Sequence, residues 1–116
     1  LLRLELPADY LQRPRVEQMS LMAPFLAELK EALDRLDLSH RYAFGFDFAR
    51  VADLTVGSLM ALTTLLRRVE ALCFELRNVP GDEQKLITRT VLKHVQERLV
   101  GAAFDATGMG WTVAED

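Results

Sequence analysis

Leu2, Leu4 and Leu6 alternate with Arg3 and Glu5 at the start of the chain. A period of two places one set of side chains on one face of a strand, and Pro7 stops it. A mixed stretch follows, in which Pro14 opens a short helical segment to about Met22 while Tyr10 and Leu11 turn into the core. From Pro24 onward Phe25, Leu29, Ala32, Leu33 and Leu36 recur at steps of three and four, with Glu28, Lys30, Glu31, Asp34 and Arg35 on the other side. This spacing predicts an amphipathic helix from about Pro24 to Asp37, with Pro24 in its first turn.

Tyr42, Phe44, Phe46 and Phe48 then alternate with Ala43, Gly45 and Asp47. A buried strand is expected over 42–48, with large residues on one face and small ones on the other, where a helix packs closely. A loop over 49–55 leads into Thr55-Val56-Gly57-Ser58. Leu59, Leu62, Leu65, Leu66, Val69 and Leu72 follow at helical spacing, so a helix is expected to about Leu72, capped by the hydroxyl of Thr55 or Ser58. Phe74 to Val79 alternates again and ends at the Pro80-Gly81 turn. From Asp82, the residues Leu86, Ile87, Val91, Leu92, Val95 and Leu99 mark a third amphipathic helix, which pauses at Gly101 or continues to Gly108. Trp111 and Val113 predict a short last strand.

Strands joined by helical crossovers are normally parallel. The expected fold is therefore α/β, a single domain over residues 1–116 with a four-stranded, mostly parallel sheet and three or more packed helices. In such sheets functional loops gather at the carboxyl ends of strands. That rule selects the loop after Phe48 and the turn Asn78–Asp82.

Composition narrows the function. A net charge of −3 argues against a duplex-binding surface, so no nucleic-acid partner is expected. No apolar run is long enough to span a bilayer, and direct membrane insertion is not expected. No signal peptide is visible, and the single Cys73 reads as a small core residue in a reducing compartment, so a cytoplasmic location is expected. His40 and His94 stand apart, with no metal-ligand or triad spacing, and no phosphate-binding glycine motif is present. Cofactors and metals are therefore not expected. Asp47 at a strand end and Asp53 in the loop are candidate acids, but no base, nucleophile or metal set accompanies them, and the chain is read as no enzyme.

Three segments carry a resemblance to a known family: FDFARVADLTVGSLMALTTLLRR, FELRNVP and ATGMGWTVAED. They resemble the strand, loop and helix, the following strand, and the terminal turn and strand of STAS domains, which include the anti-sigma factor antagonists. Phosphorylated members carry Asp-Ser-Ser-Gly where this chain has Thr55-Val56-Gly57-Ser58, so the resemblance implies the fold with a departed phosphorylation motif.

The resulting expectation is a regulatory protein-interaction module. It would dock a partner through the loop and helix N-terminus at 52–58, with Asp53, Leu54, Thr55, Val56, Gly57 and Ser58 as contacts and Arg67 on the helix beyond. Ser58 and Thr55 are the possible phosphorylation sites. The resemblance implies a regulatory kinase, an anti-sigma-like factor or a complex subunit as partner, with a homodimer also open. The alternatives are a structural subunit or dimerisation domain of a larger complex, and a small-molecule or nucleotide-binding domain.

Overall fold

The computed structural model describes residues 1–48, 54–63 and 67–105, with the backbone alone at 47, 48 and 102–105. The described elements are β1 (Leu2–Glu5), α1 (Arg15–Asp34), β2 (Arg41–Phe48), β3 (Leu54–Leu62), β4 (Arg68–Arg77), α2 (Gly81–Val95) and β5 (Leu99–Asp105). Short 3-10 turns over Tyr10–Gln12 and Gln96–Arg98 join them. The strands lie in the order β1-β4-β3-β2-β5. β2, β3 and β4 form an antiparallel meander, β1 runs parallel to β4, and β5 runs parallel to β2.

The α/β class holds. The sheet, however, is mixed and five-stranded rather than four-stranded and mostly parallel, and two α-helices stand among the described residues where three or more were expected. The largest difference is the stretch expected as a helix from Thr55 to Leu72, which is the β3–β4 hairpin. Along β3, burial alternates strictly, with Thr55, Gly57, Leu59 and Ala61 facing inward. The outward residues Leu54, Val56, Met60 and Leu62 are apolar too, so a period of two is hidden in the sequence. A glycine in a helix interior also costs about 1 kcal/mol relative to alanine. β3 is paired on both sides from Thr55 to Leu62 instead.

Two further boundaries move. The helical segments expected on either side of Ala23 are one continuous helix, with Pro24 inside it. Pro24 is exposed, so the Ser20 carbonyl that loses its helical N–H partner faces the solvent side. The third expected helix stops at Val95, and Leu99–Asp105 becomes an edge strand. The last strand expected at Trp111–Val113 lies outside the described residues.

One face of the sheet carries the core. Tyr42, Phe44, Phe46, Leu59, Phe74 and Leu76 point to it, and Leu29, Leu33, Ile87, Val91 and Val95 cover it from α1 and α2. Both helices therefore share a face, rather than flanking the sheet as expected. Phe74 is the hub. Its ring meets Phe25 edge-on at 6.4 Å, stacks near Phe44 at 6.3 Å and lies tilted against Phe46 at 6.0 Å. Such pairs add roughly 0.5–1.5 kcal/mol each beyond area burial.

The opposite face has no helix over it among the described residues. It presents Ala43 and Gly45 from β2, Val56, Ser58 and Met60 from β3, and Cys73, Glu75 and Arg77 from β4, all half-buried. This asymmetry decides where a ligand can approach.

Candidate functional site: an aspartate pair at the carboxyl end of the sheet

β1, β2, β4 and β5 all end on the same side of the sheet, because the parallel pairs β1–β4 and β2–β5 flank a meander whose outer strands run together. β2 finishes in Phe46-Asp47-Phe48 and β5 in Phe104-Asp105. The parallel register matches Phe46 with Phe104 and Asp47 with Asp105. Two carboxylate-bearing residues therefore occupy adjacent strands at the same level, with backbones about 4.8 Å apart. A register irregularity between Tyr42 and Ala43 sets this alignment, since Tyr42 pairs with Leu99 but Ala43 with Gly101.

The register extends into one row across the sheet: Asp105, Asp47, Val56, Glu75 and Arg3. Glu75 accepts a hydrogen bond from Arg3 Nε at 2.8 Å, which occupies it as a cross-strand ion pair. One level further along the strands, Arg77 faces Glu5 at 3.9 Å. Among the described side chains, which do not include those of Asp47 and Asp105, no three of His, Cys, Asp and Glu converge as a metal site. The chemistry of the pair still fits a hard divalent cation, since Mg²⁺ is commonly held by one or two carboxylates together with substrate phosphates.

The turn from β4 into α2 lies at this same end. Asn78 takes a left-handed conformation with φ 56°, which asparagine tolerates better than most residues. Gln84 donates Nε2 to the Val79 carbonyl at 2.8 Å and fastens the turn to the helix. Asp82 and Glu83 occupy the first turn of α2, where carboxylates are favoured.

The residues expected to dock a partner are distributed otherwise. Leu54 begins β3 opposite Arg77, and Val56 sits in the row between Asp47 and Glu75. Thr55 is 3% exposed on the core face, and Gly57 is buried beneath Phe74. Ser58 is the more accessible hydroxyl, and it donates to Glu70 Oε1 at 3.2 Å. Arg67 is exposed beside the β3–β4 connection, its backbone N–H bonded to Thr63 Oγ1 at 3.3 Å. Asp53 lies outside the described residues. No helix begins at Thr55 or Ser58, so the cluster of free N–H groups on which docking and capping rested is absent from this stretch.

Sequence reasoning reached Asp47 but missed Asp105, which it placed in a helix extension. The signal was present as a repeated ending, an apolar run closed by Phe-Asp in both 46–47 and 104–105.

Charge is also uneven along the strands. Asp47, Asp105, Asp82, Glu83 and Glu5 lie at the carboxyl ends with Arg77, while Arg41, Arg67, Arg68 and Arg98 lie at the other with Glu70 and Glu97. The net charge of −3 therefore does not describe either end, and the exclusion of nucleic acid drawn from it loses its basis.

No protein-family model matches the chain, and no solved structure matches it. Two curated proteins are similar. The chain is 39% identical over 115 residues to the Mu-like prophage FluMu protein gp28 of Haemophilus influenzae, covering 98% of this chain and 22% of that protein. It is 46% identical over 88 residues to the probable terminase, large subunit gp28 of Escherichia phage Mu, covering 76% of this chain and 16% of that protein. The chain thus spans about a fifth of the length of the curated relatives it matches.

These similarities overturn the STAS resemblance, and with it the anti-sigma factor antagonist-like and regulatory-docking readings. The physical reason is visible in the fold. The resemblance rested on apolar positions that a strand–loop–helix and a strand–strand hairpin satisfy equally, and the chain forms the hairpin. Among the described residues no helix is long and apolar enough to cross a membrane.

Proposed function

We propose that this chain is a DNA-cutting part of a phage terminase large subunit, with Asp47 and Asp105 as the carboxylates of a divalent-cation centre. The observation that carries the reading is the register match of these two residues on adjacent parallel strands. The name of the phage Mu relative, a probable terminase large subunit, supplies the substrate class, DNA, because terminases package phage DNA. Asp47 and Asp105 would hold such a cation, and when bound it would supply Lewis-acid polarisation of a phosphoryl oxygen and lower the pKa of its bound water. The sheet face beside them, uncovered by a helix among the described residues, would accommodate an extended phosphodiester chain. Protein partners belong to the same reading, since a large subunit works within a complex.

Nicking of supercoiled plasmid by the chain, with Mg²⁺ or Mn²⁺ and with a chelator, tests it. Cation-dependent cleavage that disappears in Asp47→Asn and in Asp105→Asn supports the assignment. Cleavage at the wild-type level in either variant, or neither cleavage nor thermal stabilisation by the cation in the parent chain, overturns it.

A further inference from the structure

The amino end of the sheet carries an unusual set of cations. Arg41 opens β2, Arg67 and Arg68 stand at the start of β4, and Arg98 closes the 3-10 turn that feeds β5. All four are exposed. The register brings them together: Arg41 pairs with Leu62, Leu62 pairs with Arg68, and Tyr42 pairs with Leu99, directly after Arg98. Arg41 and Arg68 are thus two strands apart, about 9–10 Å, with Arg98 on the far side of Arg41.

None of the four makes an ion pair among the described residues. Four other arginines, Arg3, Arg13, Arg35 and Arg77, each face a carboxylate. Glu70 lies two residues after Arg68 on β4 and Glu97 directly precedes Arg98, yet neither pairs with any of the four among the described residues. Four guanidinium groups at this spacing repel one another. A polyanion relieves that repulsion. Guanidinium suits phosphate in particular, because its planar fork matches two phosphate oxygens at once.

The position of the cluster relative to the aspartates gives the direction of the bound chain. From Arg41 to Asp47 is six residues along one strand, a rise of about 20 Å. At about 3.4 Å of axial rise per nucleotide in a duplex strand, this spans roughly six nucleotides. The floor between them is low. A Cβ added at Gly45 or at Gly101 would meet nothing within 4 Å, so no part of the described chain occupies that space.

We infer that Arg41, Arg67, Arg68 and Arg98 form a phosphate-binding platform that holds the DNA backbone about six nucleotides from the Asp47–Asp105 pair. The identity of the polyanion as DNA rests on the proposed function, whereas the platform itself rests on four clustered arginines with no ion pair among the described residues. Contacts of this kind anchor and orient the strand without reading its sequence.

The test is fluorescence anisotropy of a labelled DNA duplex, with the chain titrated between 50 and 200 mM salt. Each phosphate contact adds about 0.9 to the slope of log affinity against log salt. The variant R41Q/R67Q/R68Q/R98Q is expected to lose about 3–4 from that slope, so that the parent's advantage in affinity shrinks by roughly two decades between 50 and 200 mM salt. A charge-matched control, R13Q/R15Q/K30Q/R35Q, is expected to keep the parent slope. Thermal melts check that both variants fold. An unchanged slope in the first variant, an equal loss in the control, or no salt-dependent binding by the parent overturns the platform. Tighter competition by RNA than by DNA would overturn DNA as its ligand. D47N/D105N separates the two readings, because it is expected to keep the binding slope while losing cleavage. A platform confirmed in a chain that never cleaves would leave this inference standing and sink the proposed function.

Discussion

Gly57 lies opposite Phe74 across the β3–β4 ladder, and the ring of Phe74 fills the space that a side chain at Gly57 would need. A Cβ built there would stand 2.6 Å from Cε1 and 2.7 Å from Cε2 of that ring. Phe74 is fully buried between Phe25, Phe44 and Phe46 and has nowhere to retreat. Gly57→Ala is therefore expected to destabilise the fold by about 1–3 kcal/mol, the usual cost of overpacking a closed core. Gly45→Ala, with open space above it, is expected to change stability by less than about 1 kcal/mol and to raise it if anything. Urea denaturation of both variants checks the contrast, and an equal loss in the two would contradict it.

Asp47 and Asp105 are register partners, and like charges on directly paired residues disfavour strand pairing. Asp47→Asn and Asp105→Asn are each expected to melt at or above the parent temperature without divalent cations, and to lose the stabilisation the parent gains with them. For cleavage, the double variant is expected to be no worse than either single one, because ligands of one centre act as a unit.

Burial pushes the Cys73 thiol above its ordinary value, and the neighbouring Glu70 carboxylate adds to the shift. A raised folded value contributes stability that is fully present below the unfolded thiol value, near ~8.5, and that is lost as pH rises through the folded one. Labelling of native Cys73 by a thiol reagent at neutral pH is expected to be much slower than that of the unfolded chain. Glu70→Gln should shift the pH midpoint of labelling down only part of the way, because burial is the larger cause. A complete return to ordinary thiol behaviour would assign the shift to Glu70 instead.

The connection between α1 and β2 has an acid-sensitive clasp. The Ser39 hydroxyl and backbone N–H both donate to Asp37 Oδ1, at 2.6 and 2.9 Å, and Tyr42 Oη donates to the Asp37 carbonyl at 2.6 Å. The Ser39 hydroxyl, then the Ser39 N–H, hold the Asp37 carboxyl below its usual value. A lowered folded value contributes stability that is present above the unfolded value, near ~3.9, and lost as pH falls through the folded one. In Ser39→Ala the Asp37 titration followed by NMR is expected to move up part of the way, and the loss of stability below about pH 4 to become shallower. An unmoved titration would leave the clasp without an energetic role.

Much of the fold was legible where one face of an element is apolar and the other is not. β1, the core face of β2 and the buried stripe Ile87, Val91 and Val95 of α2 all read directly. The hairpin was not legible, because β3 has apolar residues on both faces and small ones where the core is most crowded. Gly57 is small because Phe74, distant from it in sequence, takes the volume between the sheet and α1. β5 was missed for a similar reason. Gly101, Ala102 and Ala103 carry no strand signal of their own, and they extend because β2 offers them a free edge.

The order of residues alone established an α/β chain, its amphipathic helices and the aromatic face of β2, since these follow from local periodicity. It also placed Asp47 at the end of a strand. Only the tertiary structure put Asp105 beside it, through a parallel pairing that spans nearly sixty residues of chain. That pairing and the antiparallel β2–β3–β4 meander together gathered Arg41, Arg67, Arg68 and Arg98 at the opposite end. The physical reason is that periodicity reports which face a residue takes. Which strands become neighbours depends on where backbone hydrogen bonds and core volume can be satisfied together. A site assembled from two distant strand ends is written in that second choice.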